Sequence, residues 1–467
     1  MINKLPSIFI LQNASIKEAM RVIDTSGLGI AFILGDRKKL IGLITDGDVR
    51  KAILRGVPIE AAVAKIMNRK PAIIQEASLK TDVAKLSLRK DIIPSGGSLK
   101  VPLIARNGSV KDLMLLYADE NKNIILTKLL RETKPKTLGV KRVLIVGGAG
   151  YLGCVLSRKL LMGGYAVTLL DNLTYGDHGI KNILNHKRFH FIKGDCRNIS
   201  DIIEAIKGVD AVIHLAAIVG DPACALNPQE TIENNYLASI ALAQSAKFNQ
   251  INRFLFISSC SVYGASKTPL DRLTEDSPLN PVSLYAQTKI KSEEAILSMS
   301  DRNFSPTIFR FATLYGVSPR MRFDLAINLL TAKAIQERKI TIFGGEQYRP
   351  FLEVSDAAGA CVKWLETPLE KTARQVFNVG SNDQNFRIRE IGELINRIVP
   401  RISIETKKQA GDPRDYNVSF DKFYHILKFQ PKKSPQESVN EIADLFKKNL
   451  VRDYTEPQYH NHTFYSF

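Results

Sequence analysis

From residue 142 onward, short continuous apolar runs alternate with stretches of helical periodicity. The runs RVLIV, YAVTLLD, RFHFIKGD, DAVIHLAA, RFLFISS and PTIFRFAT are rich in β-branched and aromatic residues. Strands that are apolar at every position, separated by helices, predict a parallel sheet covered on both faces. The C-terminal part alternates less regularly and predicts a smaller lobe over the sheet's edge. Ahead of this region, SIKEAMRVIDTSGLGIAFILGDRKKLIGLITDGD (15–48) recurs in outline as SLKTDVAKLSLRKDIIPSGGSLKVPLIARNGSVKDL (78–113). Each copy reads as an amphipathic helix and then two short strands separated by a polar turn, Gly35-Asp36 in one and Asn107-Gly108 in the other. A unit this small cannot bury its own apolar face, so the two copies are expected to pack together. Residues 128–141 mix charge with Pro135 and Gly139, lack periodicity and predict a linker. The expected organisation is therefore 1–127, a linker over 128–141, and 142–467.

Composition narrows the class. Of the 467 residues, 45% are hydrophobic and 24% charged, as in a globular protein. No apolar run approaches the ~18 residues that cross a bilayer, and MINKLPSIFILQN lacks a cleavage site, so neither membrane insertion nor secretion is expected. The five cysteines (154, 196, 224, 260 and 361) are widely spaced with no CxxC, which fits reduced thiols in a cytoplasm rather than disulfides or a zinc site. His460 and His462 have no partner cluster, so a docked aromatic tail is expected there and no metal. The net charge is +18, and residues 1–140 hold 24 Lys and Arg against 13 Asp and Glu. That excess fits a solvated basic face or a pocket for a phosphorylated ligand. Nucleic-acid binding comes third, because no nucleic-acid motif accompanies the charge.

Gly147, Gly150 and Gly153 form G-x-x-G-x-x-G between the first strand and its helix. That pattern supplies a tight turn, a close approach to a pyrophosphate and a helix N-terminus facing negative charge. Asp171 ends the second strand, where a carboxylate accepts both ribose hydroxyls of NAD and repels the extra phosphate of NADP. Asp195 ends the third strand and suits the adenine amino group. Turn chemistry is the alternative for each alone, but glycines, acid and strand order agree on NAD.

Ser259, in FISSCSVYGAS, follows the fifth strand, and PVSLYAQTKIKSEEAI places Tyr285 and Lys289 four apart on one helix face. With the glycine turn, DNLTYG, HLAA, NNYLAS, RFATLYG and GGEQYRPFLEVSD, the chain over about 145–445 resembles the extended short-chain dehydrogenase/reductase family, and within it the nucleotide-sugar epimerases and dehydratases. The resemblance implies a catalytic Ser259–Tyr285–Lys289 set and NAD contacts from Tyr151, Leu152, Asn172, Cys196, Leu215, Ala216, Ala217 and Asn234, besides Tyr285 and Lys289. It implies sugar or nicotinamide contacts from Val219, Asn235, Cys260, Ser261 and Thr313, a diphosphate grip by Arg349 and Arg414, and a homodimer. It also implies α/β architecture: a Rossmann-type doubly wound parallel sheet with a smaller C-terminal substrate lobe, preceded by an α+β CBS-domain pair. The CBS resemblance rests on GLITDGDVR (42–50), in which Thr45 and Asp48 would hold AMP or ATP; the alternative is that they cap a helix. Lys111 and Met114 occupy the equivalent positions of the second copy, so one nucleotide per pair is expected.

Hydride transfer from a sugar alcohol needs a base for the hydroxyl proton, and a tyrosine of pKa about 10 is a poor one. An ammonium ~4 Å away at an effective dielectric of ~20 stabilises the phenolate by about 4 kcal/mol, or ~3 pKa units, so Lys289, with the positive ring of NAD, is expected to make Tyr285 a working base. Family dehydratases carry Asp and Glu directly after the serine; this chain has Cys260 and Ser261. Keto-sugar epimerases that use a cysteine have it where Ser261 stands, so Cys260 reads as packing more readily than as acid or base. A nucleotide-sugar epimerase that oxidises C4, turns the keto sugar over and reduces its opposite face is the expected activity. A 4,6-dehydratase, a 4-ketoreductase or dehydrogenase, and a silent NAD- and adenylate-sensing protein are the alternatives.

Overall fold

The computed structural model describes residues 8–26, 29–35, 39–87, 98–118, 124–128, 140–265, 272–408 and 414–465. The chain divides into two compact units, Met1–Lys136 and Thr137–Phe467.

The front unit carries the repeat. In the first copy, strand Phe9–Leu11 leads into helix Ile16–Ser26, antiparallel strands Ile30–Leu34 and Leu40–Thr45, and helix Asp46–Leu54. In the second, strand Ile74–Gln75 leads into helix Leu79–Ser87 and antiparallel strands Ser98–Ile104 and Val110–Ala118. Both hairpins break register near the turn, at Ile33/Leu34 and at Leu103/Ile104. Ile30, Phe32 and Leu43 share a buried cluster with Ile104, Val110 and Leu113, so the copies do pack together. They differ at the end: where the first has helix Asp46–Leu54, the second has strand Ile124–Lys128, paired with its own hairpin. Lys128 therefore closes a strand, and residues 129–139 of the expected linker lie outside the described residues.

In the second unit, seven parallel strands make one sheet: Arg142–Val146, Ala166–Asp171, Phe189–Lys193, Ala211–His214, Arg253–Ser259, Ser305–Phe311 and Val376–Val379. Their spatial order is third, second, first, fourth, fifth, sixth, seventh. The order reverses between the first and fourth strands, and a crevice at such a switch point receives the ligand in this architecture. Alternation within each strand feeds two cores. Val143, Ile145, Leu169, Ile213 and Leu255 pack under helices Tyr151–Met162 and Val354–Glu366, while Leu144, Val146, Leu170, Val212 and Phe254 pack under Ile199–Ile206, Ala238–Phe248 and Leu284–Ser298. The smaller lobe is built on helices Ala326–Gln336, Ile388–Ile398 and Pro435–Lys447, with short strand pairs such as Lys339–Phe343 with Ser403–Lys407. Glu353 caps helix Val354–Glu366 by accepting from the Ser355 and Asp356 amides, at 2.7 and 3.1 Å. Burial pushes this carboxyl up to about 7, against the pull of Lys433. Among the described residues, no helix is long and apolar enough to cross a membrane.

Candidate active site

The glycine turn is dictated by close approach. Gly147 has φ of +82°, and a Cβ there would lie 2.5 Å from the Ala216 backbone. A Cβ at Gly153 would lie 2.4 Å from the Gly148 Cα, so helix Tyr151–Met162 can pack onto its own turn only with glycine there. At Gly150, by contrast, a Cβ would meet only the Gly147 carbonyl at 3.7 Å. The fourth strand's exit is held against this turn, the Leu215 and Ala216 amides both donating to the Val146 carbonyl at 2.8 Å. Asp171 accepts from the Ala149 and Leu173 amides at 2.9 and 2.8 Å. Burial raises its carboxyl, and the two amides and Arg320 oppose that rise.

A cleft of ≈960 Å³ opens over this turn and continues to the fifth strand and the smaller lobe. Its lining includes Gly147, Gly150, Tyr151, Leu152, Gly153, Asp171, Asn172, Cys196, Leu215, Ala216, Ala217 and Asn234, all expected around the dinucleotide. Asp195 departs from the expectation. Its carboxylate is already gripped by Arg197 at 2.7 Å, and its neighbours Gly194 and Cys196 line the cleft instead. Burial alone would raise Asp195, but the Arg197 contacts win and hold it below the usual range.

Ser259 ends the fifth strand, its Oγ accepting from the Ser261 amide at 3.1 Å. Ser283 caps the next long helix by accepting from the Ala286 amide, which puts Tyr285 in the first turn and Lys289 one turn on. Ser259, Tyr285 and Lys289 all line the cleft. The Lys289 ammonium donates to the Ile257 carbonyl at 2.8 Å, 4.7 Å from the Phe256 ring and 5.7 Å from the Tyr285 ring. Burial pushes Lys289 down to about 8, against Cys224 and Glu293. Burial also raises the Tyr285 hydroxyl above an ordinary phenol, Cys224 and Asp221 adding to it and Arg322 and Ser259 opposing it. Lys289 and the positive ring of NAD were expected to share the acidification of Tyr285, and the chain's own charges do not supply it. Desolvation outweighs the charges around the ring, and the ammonium is engaged on a backbone carbonyl.

The substrate residues divide. Val219, Ser261, Thr313, Arg349 and Arg414 line the cleft. The two arginines, far apart in sequence, meet: Arg349 Nη1 donates to the Arg414 carbonyl and, at 2.8 Å, to that of Tyr348. Arg414 also pairs with Asp221 at 3.2 Å. Cys260 does not face the cleft; it is buried, its thiol donating to the Arg310 carbonyl at 3.3 Å, and burial raises it. Asn235 is also buried, clamping both backbone groups of Ile218 at 2.7 and 2.9 Å. Its role is to fix the loop that carries Val219.

Two buried oxygens in the lining, Asp221 Oδ1 and Ser261 Oγ, have no hydrogen-bond partner among the described residues. Open acceptors and donors beside an acid–base tyrosine suit a polyhydroxylated ligand. The glycine cradle, a helix N-terminus and Asp171 likewise fit a dinucleotide at the other end. The sequence did not point to Arg320, Arg322 and Asp324, in SPRMRFD, and the tail expected to dock brings Asn461 and His462 with it; all five line the cleft. The signal was an R-x-R-x-D run inside an otherwise buried segment. The tail is docked: the Phe323 amide donates to the Tyr459 carbonyl at 3.0 Å, and Phe464 meets Tyr175 edge-on at 5.2 Å. Among the described residues, no group of His, Cys, Asp and Glu is placed to hold a metal.

A family model described as NAD dependent epimerase/dehydratase matches residues 143–380, and a CBS domain model matches residues 2–55. A Bacillus subtilis protein named uncharacterized UDP-glucose epimerase YtcB is 30% identical over 319 residues, 65% of this chain and 98% of that one. The UDP-glucose 4-epimerase of Lactobacillus helveticus is 27% identical, over 68% of this chain and 99% of that one. The structure of UDP-glucuronic acid 4-epimerase from Bacillus cereus, in complex with UDP-glucuronic acid and NAD, superposes with a TM-score of 0.59 at 26% identity, covering 66% and 99% of the two chains. The chain belongs to the NAD-dependent epimerase/dehydratase family, an enzyme family that works with NAD, and carries a CBS domain ahead of it. That domain match covers the first copy of the front repeat, the copy that ends in a helix.

Proposed function

We propose that this protein inverts C4 of a sugar carried on a nucleoside diphosphate, by transient oxidation to a keto sugar and re-reduction. The observation carrying this reading is the state of the carboxylates in the cleft. Asp171 is spent on the glycine turn, Asp324 on Arg322 at 2.8 Å, and Asp221 is held through one oxygen by Arg414. Where an eliminating enzyme of the resembled family has two acids after the serine, this chain has buried Cys260 and the hydroxyl of Ser261. A proton can be taken from an alcohol and given back, but the two positions after Ser259 carry no acid to expel water.

Ser259 would hold the sugar hydroxyl, and the Tyr285 oxygen would take its proton as the carbon gives up hydride. NAD supplies the hydride acceptor and a positively charged ring, the charge that a desolvated phenol needs to act as a base. Arg349 and Arg414 would grip the diphosphate, since guanidinium forks match phosphate oxygens. A cleft of this volume lies within the ~300–1,000 Å³ usual for ligand sites, room for the sugar to turn over before Tyr285 returns the proton.

An epimerase regenerates its own oxidant. Incubation with UDP-, GDP-, CDP- and dTDP-sugars without added NAD, followed by NMR, is expected to yield a C4 epimer, with UDP-sugars first because the relatives named above are UDP-sugar epimerases. A persistent 4-keto-6-deoxy product, or consumption of added dinucleotide one for one, would refute the assignment.

For the front unit, the proposal is that AMP or ATP binds at Thr45 and Asp48 and shifts the activity. These side chains now serve one another in a capping box: Thr45 Oγ1 donates to Asp48 Oδ2 at 2.7 Å and accepts from the Asp48 amide at 3.2 Å. A nucleotide would have to share that box. Titration calorimetry on the whole chain is expected to show one adenylate site that Thr45→Ala weakens; no heat with AMP or ATP removes the proposal.

A further inference from the structure

Two arginines stand two residues apart on the wall of the cleft, in opposite states. Arg322 is satisfied by Asp324, through Nε and Nη2 at 2.8 Å each. Arg320 is more deeply buried, at 1% exposure, yet its Nε and Nη2 have no hydrogen-bond partner among the described residues. Burying a guanidinium with open donors is costly, and although Asp171 and Asp324 attract it, neither bonds its Nε or Nη2. Asp171 gives an oxygen to each of two backbone amides, and Asp324 belongs to Arg322. Such a group is retained where an anion completes it.

Its position says which anion. The stem of Arg320 lies against the glycine turn, since a Cβ on Gly179 would sit 3.1 Å from both the Arg320 Cβ and the Ala149 carbonyl. Ser318, two residues earlier, donates to the Tyr151 carbonyl at 2.6 Å and so ties this segment to the first turn of helix Tyr151–Met162. The guanidinium lies over the Tyr175 ring, 4.4 Å from its centroid, and Phe464 buttresses that ring from another side. Arg349 and Arg414 have other partners, Tyr348, Tyr416 and Asp221.

We propose that Arg320 is the phosphate grip of the dinucleotide site, its stacked guanidinium donating to the cofactor's pyrophosphate at the glycine turn. The turn supplies amides and a helix N-terminus; Arg320 supplies the full charge that they lack. Stacking on Tyr175 holds the planar fork in place. The inference rests on the NAD assignment of the family but is separable from it.

The test is calorimetry on the whole chain, stripped of nucleotide, with NAD, ADP, adenosine and UDP as probes, on wild type, Arg320→Met and Arg320→Lys. Arg320→Met is expected to weaken NAD and ADP by about 10- to 100-fold, the worth of charge-assisted hydrogen bonds. Adenosine and UDP should bind as to wild type, and Arg320→Lys should recover part of the loss. The ligand-free melting temperature of Arg320→Met should hold or rise, because no hydrogen bond of Nε or Nη2 is broken; a residue with a merely structural role would lower it. Unchanged NAD and ADP binding in the variants would overturn this inference alone, as would a loss confined to UDP. Wild-type protein that fails to bind NAD would overturn the cofactor assignment as well.

Discussion

Tyr285→Phe is expected to lower turnover by about 10³-fold, the range that a positioned acid–base group contributes. NAD affinity should fall by less than about tenfold, the worth of one neutral hydrogen bond. The two effects separate because the hydroxyl is the only atom removed, while the ring keeps its packing against Ile218, Ala223 and Cys224. Burial already holds that hydroxyl in its protonated form, so the variant removes no charge from the ligand-free protein and should melt no lower. Steady-state rates on whichever sugar nucleotide turns over, with calorimetry for NAD, make the measurement. Turnover within a few-fold of wild type would remove Tyr285 from the chemistry.

The second large effect is structural. One helical turn beyond Lys289, Glu293 is bound by Arg310 through Nη2 at 2.7 Å and Nε at 3.1 Å, and it also accepts from Ser258. Both charged side chains are almost wholly buried. Glu293→Ala leaves the guanidinium without its carboxylate and is expected to cost about 3–5 kcal/mol of stability, read by urea unfolding. Adding Arg310→Met should recover part of that loss, since replacing a whole buried pair is far milder than halving it. A loss below about 1 kcal/mol for the single variant would show that the pair is not holding this helix to the sixth strand.

What the sequence disclosed follows from how local each feature is. The glycine turn, Asp171 at its strand end and the four-residue spacing of Tyr285 and Lys289 are set by neighbours in the chain, and the fold places them as the pattern implies. The direction of a side chain where regular structure ends is not local in that sense. Asn234 and Asn235 lie in a π-helical turn, Glu233–Leu237, whose wider winding sends one to the cleft and the other inward to Ile218. Cys260 opens the 3₁₀ turn Cys260–Tyr263, which breaks the strand's alternation and buries the thiol while Ser261 lines the cleft. Asp195 was lost to Arg197, a partner two residues away whose competing claim composition could not weigh. Lys289 is a case of another kind: distance along a helix fixed its face, while burial and the Ile257 carbonyl set its electrostatics. Arg320 carries its meaning in a vacancy of donors, visible only once every neighbour has been placed.

All five cysteines belong to the larger unit, and each is free and buried. Cys154 sits in the glycine-turn helix, Cys224 behind Tyr285, and Cys361 in helix Val354–Glu366. The chain therefore carries a built-in reporter of breathing: a maleimide should leave the native enzyme unmodified, and each adduct that forms marks a local opening at a known depth. Ligand that closes the cleft should slow labelling at residue 224 first, with no signal at all from the front unit.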